Sequence, residues 1–265
     1  MTPDRARAGY LAALAGDEPR LDVATAWIAA EENPDLEPDS VISDLDALAA
    51  RIAVAEGPEA ERVARIAIGL FSQEGFAGDA AHYDEPANSL IDQVLKRRRG
   101  MPILLAVVLL EVASRNRVHL HGIGFPGHFL VATHTDPPVV LDPFNGGRVL
   151  TRPVLVARIA QIDGCAPSPT RVAEATTPVG TRYILARINN NLKGSWLRRG
   201  RVVEALRAVE RMLIVAPDLV EELRDRGLMR LHLGDPGGIA DLRGYLQACP
   251  GASDRERIAA RIRQG

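Results

Sequence analysis

Apolar residues recur at helical spacing along residues 5–72, with glycine and proline between the runs. The apolar stripes are Ala24-Trp27-Ile28, Val41-Leu45-Leu48-Ile52 and Val63-Ile66-Ala67-Leu70. A repeat of three and four residues is typical of helices that bury one face. Asp39 and Ser40 offer an N-cap before the second stripe. The pattern predicts a helical N-terminal region that covers residues 1–78.

A further short helix is predicted over Asn88–Arg97, and it ends in a run of three arginines. Cations are favoured at a helix C-terminus by the macrodipole, so a solvated helix end is the simplest interpretation of this run. A phosphate site is the sharper alternative, and it makes Arg99 a candidate binding residue.

The most apolar stretch of the chain, Ile103–Ala113, follows Pro102. Proline is favoured in the first turn of a helix, and a helix that is apolar on nearly every face is a buried one. We therefore predict a central helix here. Glu111 interrupts it, either as a buried carboxylate paired with an arginine or as a catalytic or binding carboxylate.

The period changes after the central helix to short alternating or apolar runs, which are typical of strands. The runs are Val118–Phe125, His128–Thr133 and Val139–Leu141, with turn residues at 126–127, 136–138 and 145–147. Connections this short favour antiparallel pairing. A small antiparallel sheet is predicted within a core that spans residues 79–165.

Residues 166–180 are rich in proline, threonine, serine and alanine, which predicts a linker. Residues 181–265 are helical in pattern, and Pro217 and Pro250 end two similar stretches at a spacing close to the tetratricopeptide period. A plain helical hairpin bundle is the alternative. The fold class predicted for the whole chain is α+β.

Net charge, the length of the apolar runs and the cysteine content argue against several classes of protein. The net charge of -2 gives no electrostatic footprint for nucleic acid or an acidic membrane. The longest apolar run is too short to span a bilayer, and the charged start MTPDRARAGY does not resemble a secretory signal. Cys165 and Cys249 match no metal spacing, so we expect a cytoplasmic protein, although a single disulfide bond remains an alternative.

Three segments resemble the bacterial SirB-like family: RGMPI at 99–103, GFPGHFL at 124–130 and LDPFNGG at 141–147. The flanking NSL at 88–90, NLK at 191–193 and RDRGL at 224–228 also fit. The resemblance implies a papain-like or transglutaminase-like core with a central helix and a small sheet, followed by tetratricopeptide-like helices.

The resemblance also implies a Cys-His-Asp triad, with the cysteine at the start of the central helix. His128 matches the histidine and Asp142 the aspartate, but the cysteine position falls on Pro102. Three other nucleophilic side chains could in principle replace the thiol, but the sequence does not put any of them at the start of the central helix: Ser89, Ser114 and Cys165. Gly127, Phe129 and Asn145, which flank the pair in the family motifs, are further candidate binding residues.

His128 and Asp142 also have structural interpretations, as a hydrogen-bonded core histidine and a turn-forming aspartate. His119 and His121 form an H-x-H pair, which can bind zinc, yet they lie outside the family motif and lack a third ligand at metal spacing. We therefore predict no metal and no cofactor.

The missing thiol favours a non-catalytic protein that binds another protein or a peptide. The alternative is a hydrolase or acyl transferase that uses the His128-Asp142 pair without a cysteine nucleophile. Neither nucleic acid nor a membrane is an expected partner, and the oligomeric state stays open.

Overall fold

The computed structural model describes residues 2–16 and 19–264. The chain divides into two compact units, Met1–Ile184 and Leu185–Gly265. The described part of the first unit mixes helices with a small sheet, whereas that of the second is helical. The α+β class predicted from the sequence is confirmed.

The first unit contains the central helix and the helices that surround it. They are α1 (Pro3–Ala13), α2 (Leu21–Glu32), α3 (Pro38–Arg51), α4 (Glu59–Ala67), α5 (Ile91–Arg97), α6 (Pro102–Arg115), α7 (Arg152–Asp163) and α8 (Pro169–Ala175). The predicted N-terminal stripes are mostly buried, with Val41, Leu45 and Leu48 at most 2% exposed. Burial of one apolar face explains why the helical pattern of this region predicted its structure.

Two helix starts differ from the prediction. Helix α3 begins at Pro38 after Glu37, without a side-chain cap, so Asp39 and Ser40 lie inside its first turn. Proline fixes the helical φ at the first position, and the helix therefore starts before the polar pair. The segment predicted as one helix over residues 88–97 is a 3-10 turn, Pro86–Ser89, followed by α5, because Leu90 between them is extended.

Helix α6 is the central helix of the first unit, as predicted. Every residue from Pro102 to Leu109 is buried, and α6 packs against α3, α4 and the sheet. A helix enclosed on all sides requires the apolar composition that the sequence shows.

The main sheet of the described chain has five strands in the order β6-β5-β4-β3-β7, and all its pairings are antiparallel. Its strands are β3 (Leu120–Ile123), β4 (Leu130–Thr133), β5 (Val140–Asp142), β6 (Arg148–Leu150) and β7 (Pro178–Val179). A separate pair, β1 (Ala77–Gly78) and β2 (Arg99–Gly100), runs parallel just before α6. His128 was predicted on a strand, but it lies in the turn before β4, where its backbone N–H donates to the Phe125 carbonyl.

Residues 166–180, which the composition predicts as a linker, contain α8 and β7. Strand β7 pairs with β3, placing Val179 opposite Gly122. Val172 and Ala175 of α8 are buried in the same apolar cluster as β3 and β4. Along the chain, the boundary between the two compact units falls after Ile184.

The second unit consists of stacked helices in its described part. Helix α9 (Thr181–Arg198) enters it from the first unit, and α10 (Val202–Val215), α11 (Val220–His232), α12 (Gly238–Ala248) and α13 (Arg255–Gln264) follow. Gly227 and Gly238 bring α11 and α12 together, because a Cβ on Gly227 would lie 2.8 Å from the Gly238 carbonyl oxygen. Trp196 contacts the cluster of Ala205, Val209 and Met229.

Candidate functional site

His128 and Asp142 are joined by a hydrogen bond, the contact that the family resemblance implies. His128 Nε2 lies 2.7 Å from Asp142 Oδ1. The Asp142 side chain is fully buried, whereas the imidazole is 15% exposed. The turn before β4 and the end of β5 bring the two residues together, because β4 and β5 are neighbours in the sheet. A buried carboxylate that holds one ring nitrogen fixes the orientation of the imidazole.

The turn after β5 holds the Asp142 carboxylate from one side. Asn145 donates to Oδ1 from its backbone N–H at 3.3 Å and to Oδ2 from its side-chain amide at 2.8 Å. Gly146 and Gly147, with φ of 74° and 68°, close the turn in the left-handed region that favours glycine. The structure therefore gives the predicted binding residue Asn145 a role in orienting Asp142.

Arg158 of α7 is a member of the site that the sequence analysis missed. Both of its terminal nitrogens lie 3.1 Å from Asp142 Oδ2. Burial acts to raise the pKa of Asp142, but the hydrogen bond and charge of His128, with the hydrogen bonds of Asn145 and Arg158, lower it to about 2. The one signal in the sequence is position, since Arg158 lies beside the buried Leu155 and Ile159 on the same helix.

Aromatic rings connect His128 to the strand pair in front of α6. Phe144 meets the His128 ring edge-on at a centroid distance of 5.9 Å, and it meets Tyr83 in the same way at 5.9 Å. A Cβ on Gly78 would lie 2.5 Å from the Phe144 ring, so only glycine fits beneath it. Because Gly78 pairs with Gly100 of β2, the contact fixes His128 relative to the start of α6.

The start of α6 carries no thiol. Pro102 is the first helical residue and is buried, and Met101 before it provides no side-chain cap. Ser89, whose position the sequence left open, lies here: its hydroxyl donates to Met101 Sδ at 3.0 Å. Ser89 is 1% exposed, so the hydroxyl is buried at this helix start.

The three arginines before α6 are not a solvated helix end. Arg97 donates to Asn88 Oδ1 and Asp79 Oδ2, each at 3.1 Å, and Arg98 is bonded to Glu74. Arg99 donates to the carbonyl oxygens of residues 75 and 98. Arg98 adopts a left-handed φ of 57°, which ends α5 and turns the chain into β2. The run therefore fixes the loop in front of α6, and Arg99 lies in β2.

Phe129 and Gly127, two further predicted binding residues, differ in their exposure to solvent. Phe129 is 1% exposed and packs over Gly122, where a Cβ would lie 2.8 Å from its ring. It belongs to the core and cannot contact a ligand. Gly127 is exposed with φ of 65°, and a Cβ there would meet nothing within 4 Å. Gly127 therefore serves the turn that presents His128.

Glu111 lies in an ion network at the other end of α6. Its carboxylate accepts from Arg115 at 2.6 Å, and Arg115 also binds Asp22 and Asp46. Burial, and next the charge of Asp22, raise the pKa of Glu111. Nine residues at ~1.5 Å rise separate Glu111 from Pro102, so the structure does not bring it to the His128-Asp142 pair. The ion pair with Arg115 agrees with one of the two interpretations of Glu111, that of a buried carboxylate paired with an arginine.

The two histidines of the H-x-H pair lie in different environments. The ring of His121 lies 4.6 Å from that of His134, while His119 is exposed before β3. In the described part of the chain, no group of three or more metal-binding side chains occurs. Cys165 and Cys249 are both free thiols. Within residues 2–16 and 19–264, no helix combines the length and apolar composition that crossing a bilayer requires.

A buried central helix packed on a small antiparallel sheet, with Asp142 at the end of one strand and His128 in the turn before the neighbouring strand, is typical of a transglutaminase-like protein. Residues 39–190 match the transglutaminase-like superfamily, and residues 192–263 match a tetratricopeptide repeat family. The chain belongs to the transglutaminase-like superfamily, and within it to the SirB-like group of UPF0162 proteins. The family resemblance stated from the sequence motifs is thus confirmed.

Several bacterial relatives support this assignment. The UPF0162 protein of Xylella fastidiosa (strain Temecula1) is 40% identical over 196 residues, covering 73% of this chain and 70% of the relative. A UPF0162 protein of Pseudomonas aeruginosa is 32% identical, with 80% and 77% covered. Protein SirB1 of Salmonella typhimurium is 24% identical, with 76% and 75% covered.

Proposed function

We propose that this protein binds a polypeptide segment without covalent catalysis, and that the surface around His128 takes part in the binding. The observation that carries the proposal is the start of α6. Pro102 occupies the first helical position, where the family's thiol is expected, and it is buried. A proline offers neither a nucleophile nor an ionisable group.

The chemistry of the helix start supports this proposal. A cysteine there would gain thiolate character from the helix dipole and from a neighbouring histidine. Met101 and Ile103, on either side of Pro102, are apolar and buried. Without a nucleophile, the two-step route through an acyl-enzyme intermediate is closed.

The His128-Asp142 pair suits recognition of an amide or a carboxylate. Asp142 stays ionised because its pKa is about 2, so it holds the imidazole in one orientation. Phe144 and the 39% exposed Tyr83 give the imidazole an aromatic flank. Aromatic rings beside a fixed polar group are common in sites that bind peptides. The tetratricopeptide match supports the same class of ligand, because stacked repeats form extended binding surfaces.

A hydrolase is the second candidate, and the 2.7 Å contact between His128 and Asp142 favours it. A histidine oriented by a carboxylate can act as a general base toward water or a substrate group. In this mechanism His128 would take a proton from the attacking water, and no covalent intermediate would form.

An activity assay separates the two candidates. The parent protein and His128→Ala are incubated with p-nitrophenyl acetate and with casein plus dansylcadaverine, which report hydrolysis and amine transfer. We expect both proteins to stay at the uncatalysed rate. Turnover by the parent that His128→Ala abolishes would replace the binding proposal with the hydrolase.

Restoring the thiol tests whether α6 and His128 keep the geometry of a catalytic site. Pro102→Cys is made in a Cys165→Ser/Cys249→Ser background, so that it carries the sole thiol. The control is Pro38→Cys, because α3 is also a 14-residue helix that starts with a buried, uncapped proline. We expect the thiol at position 102 to react faster with iodoacetamide at neutral pH, since His128 adds to the helix dipole. Equal rates would contradict a degenerate catalytic site.

Peptide binding is tested directly with random peptides displayed on phage. We expect selected peptides to bind the parent and to lose about tenfold or more in affinity with His128→Ala. The control is His119→Ala, which removes an exposed histidine outside the pair. Peptides that bind all three proteins equally would exclude the His128 surface as the binding site.

A further inference from the structure

A cavity of about 540 Å³ lies between α3 and α5, beside the segment that follows α2, and none of its lining residues belongs to the His128 site. Its volume falls within the range of small-molecule sites. The wall includes Leu36, Leu48, Leu95 and the buried Phe76. Around this apolar wall, the acidic side chains lie toward one end of the cavity and the basic side chains toward the other.

Two parallel stripes of side chains give the cavity an acidic end and a basic end. On α3 the stripe runs from Asp44 through Leu48 to Arg51. Along α5 it runs from Asp92 through Leu95 to Arg98, the residue that ends this helix. Each stripe covers about two helical turns, or ~10 Å. The two arginines meet at one point, because both are bonded to Glu74. The aspartates therefore lie toward the opposite end.

The basic end keeps an excess of positive charge. Hydrogen bonds from Arg51 act with those of Arg98, against burial, to lower the pKa of Glu74 to about 2. One carboxylate thus balances only one of the two guanidinium groups. Lys96 lines the same cavity and is exposed, and its ammonium has no hydrogen-bonded partner among the described residues.

The acidic end keeps an excess of negative charge. Asp92 accepts a hydrogen bond from the Gln93 amide at 2.8 Å, but its other oxygen is buried and accepts none within the described ranges. Asp44 forms no ion pair with any described residue. Asp92 is partly buried without a cation, which costs free energy that a ligand cation in the cavity would recover, whereas the exposed Asp44 adds its charge at the rim.

We infer that this cavity binds a small ω-amino carboxylate, such as a free diamino acid of the lysine type. The ligand's ammonium group lies toward Asp44 and Asp92, and its carboxylate lies toward Arg51 and Arg98. Its methylene groups lie against Leu48 and Leu95. A chain of five methylene groups with its two head groups is ~8 Å long at ordinary bond lengths, which fits between the charged ends. This inference is independent of the His128 site.

Calorimetry on the full chain tests the inference with three matched probes. The probes are 6-aminohexanoate, hexanoate without the ammonium group, and hexylamine without the carboxylate. We expect 6-aminohexanoate to bind about tenfold or more tightly than either relative, because only it satisfies both ends. Absent binding of 6-aminohexanoate, or equal binding of the three probes, overturns the inference.

The source of the ligand is distinguished by comparing L-lysine with Gly-Gly-Lys, a tripeptide with a C-terminal lysine. Tighter binding of L-lysine supports the free amino acid. Tighter binding of the tripeptide overturns that source and assigns the cavity to a polypeptide end.

Variants locate the binding within the cavity. Asp44→Asn/Asp92→Asn should weaken 6-aminohexanoate binding about tenfold or more, while hexanoate binds no more weakly than to the parent. Asp39→Asn removes an exposed charge from the same helix outside the cavity and should leave binding unchanged. Equal losses for both probes would contradict the assigned orientation. Should the double variant fail to fold, the probe comparison on the parent decides alone.

Discussion

Arg158 of α7 holds Asp142 at the end of β5, and both of its terminal nitrogens lie 3.1 Å from the same carboxylate oxygen. The opposite oxygen accepts from His128 at 2.7 Å. The buried carboxylate therefore lies between a guanidinium and an imidazole. Its charge is compensated on both sides, which explains how an aspartate can be fully buried there.

Removing the guanidinium should destabilise the first unit. Arg158→Ala leaves Asp142 buried with fewer donors, and we expect a loss of about 2 kcal/mol in the free energy of unfolding, measured in urea. The control is Arg152→Ala, which removes an exposed arginine from the first turn of the same helix. Equal stability of the two variants would show that Arg158 contributes little.

The low pKa of Asp142 predicts that the free energy of unfolding falls in acid. A carboxylate whose folded pKa is depressed stabilises the fold above its unfolded pKa near 3.8, and this contribution is lost as the pH falls toward about 2. At neutral pH it is on the order of 2 kcal/mol. Unfolding of the parent and of Asp142→Asn should therefore differ at neutral pH and converge in acid. A constant difference at every pH would contradict the prediction.

Glu111 should show the opposite behaviour. Burial and the charge of Asp22 raise its pKa, so its ionised form opposes folding, and that cost is complete above the folded pKa. It disappears as the pH falls below the unfolded value. Glu111→Gln should unfold at a higher temperature than the parent at neutral pH, and the advantage should vanish near pH ~4. A variant less stable than the parent at neutral pH would mean that the Arg115 bond outweighs burial.

The turn after β5 offers a matched pair of glycines. Both Gly146 and Gly147 have positive φ, but a Cβ would meet nothing at Gly146 and would lie 2.3 Å from the Phe71 ring at Gly147. Gly146→Ala should cost about 1 kcal/mol from backbone strain alone. Gly147→Ala should cost roughly 1 to 3 kcal/mol more from overpacking, measured by chemical denaturation. Similar costs for both would exclude the predicted clash.

Trp196 tests the packing of the second unit. It is half-buried against Val209 and Met229, and its indole N–H is buried without a partner among the described residues. Trp196→Ala should destabilise that unit by about 3 kcal/mol, the low end for a tryptophan because part of the ring is exposed. Trp196→Phe keeps most of the apolar contact and should cost clearly less. A Trp196→Ala variant that melts like the parent would assign the indole to a binding surface.

Elements set by local pattern were predicted well from the sequence. Helix α6 was identified because its apolar composition and its first-turn proline are local features, and the same holds for the turn at Gly146. The contact between His128 and Asp142 followed from the family motifs. Its geometry agrees with that prediction, since both residues come from neighbouring strands or their turns.

Features that depend on distant contacts were not predictable in this way. Arg158 is one of many charged residues on helices, and only the fold shows that it reaches Asp142. Arg97 looked like a solvated helix end because the sequence does not show that Asp79 and Asn88 lie beside it. The 3-10 turn before α5 was missed because its break depends on one extended residue, Leu90.

Strand β7 has a consequence for any shortening of the chain. It forms the outer strand beside β3, with Val179 opposite Gly122, although it follows the core motifs by many residues. A chain cut after residue 165 would lose this strand and expose the hydrogen-bonding edge of β3, a template on which strands of other molecules can add. Such a fragment should aggregate, whereas one that retains β7 keeps that edge covered.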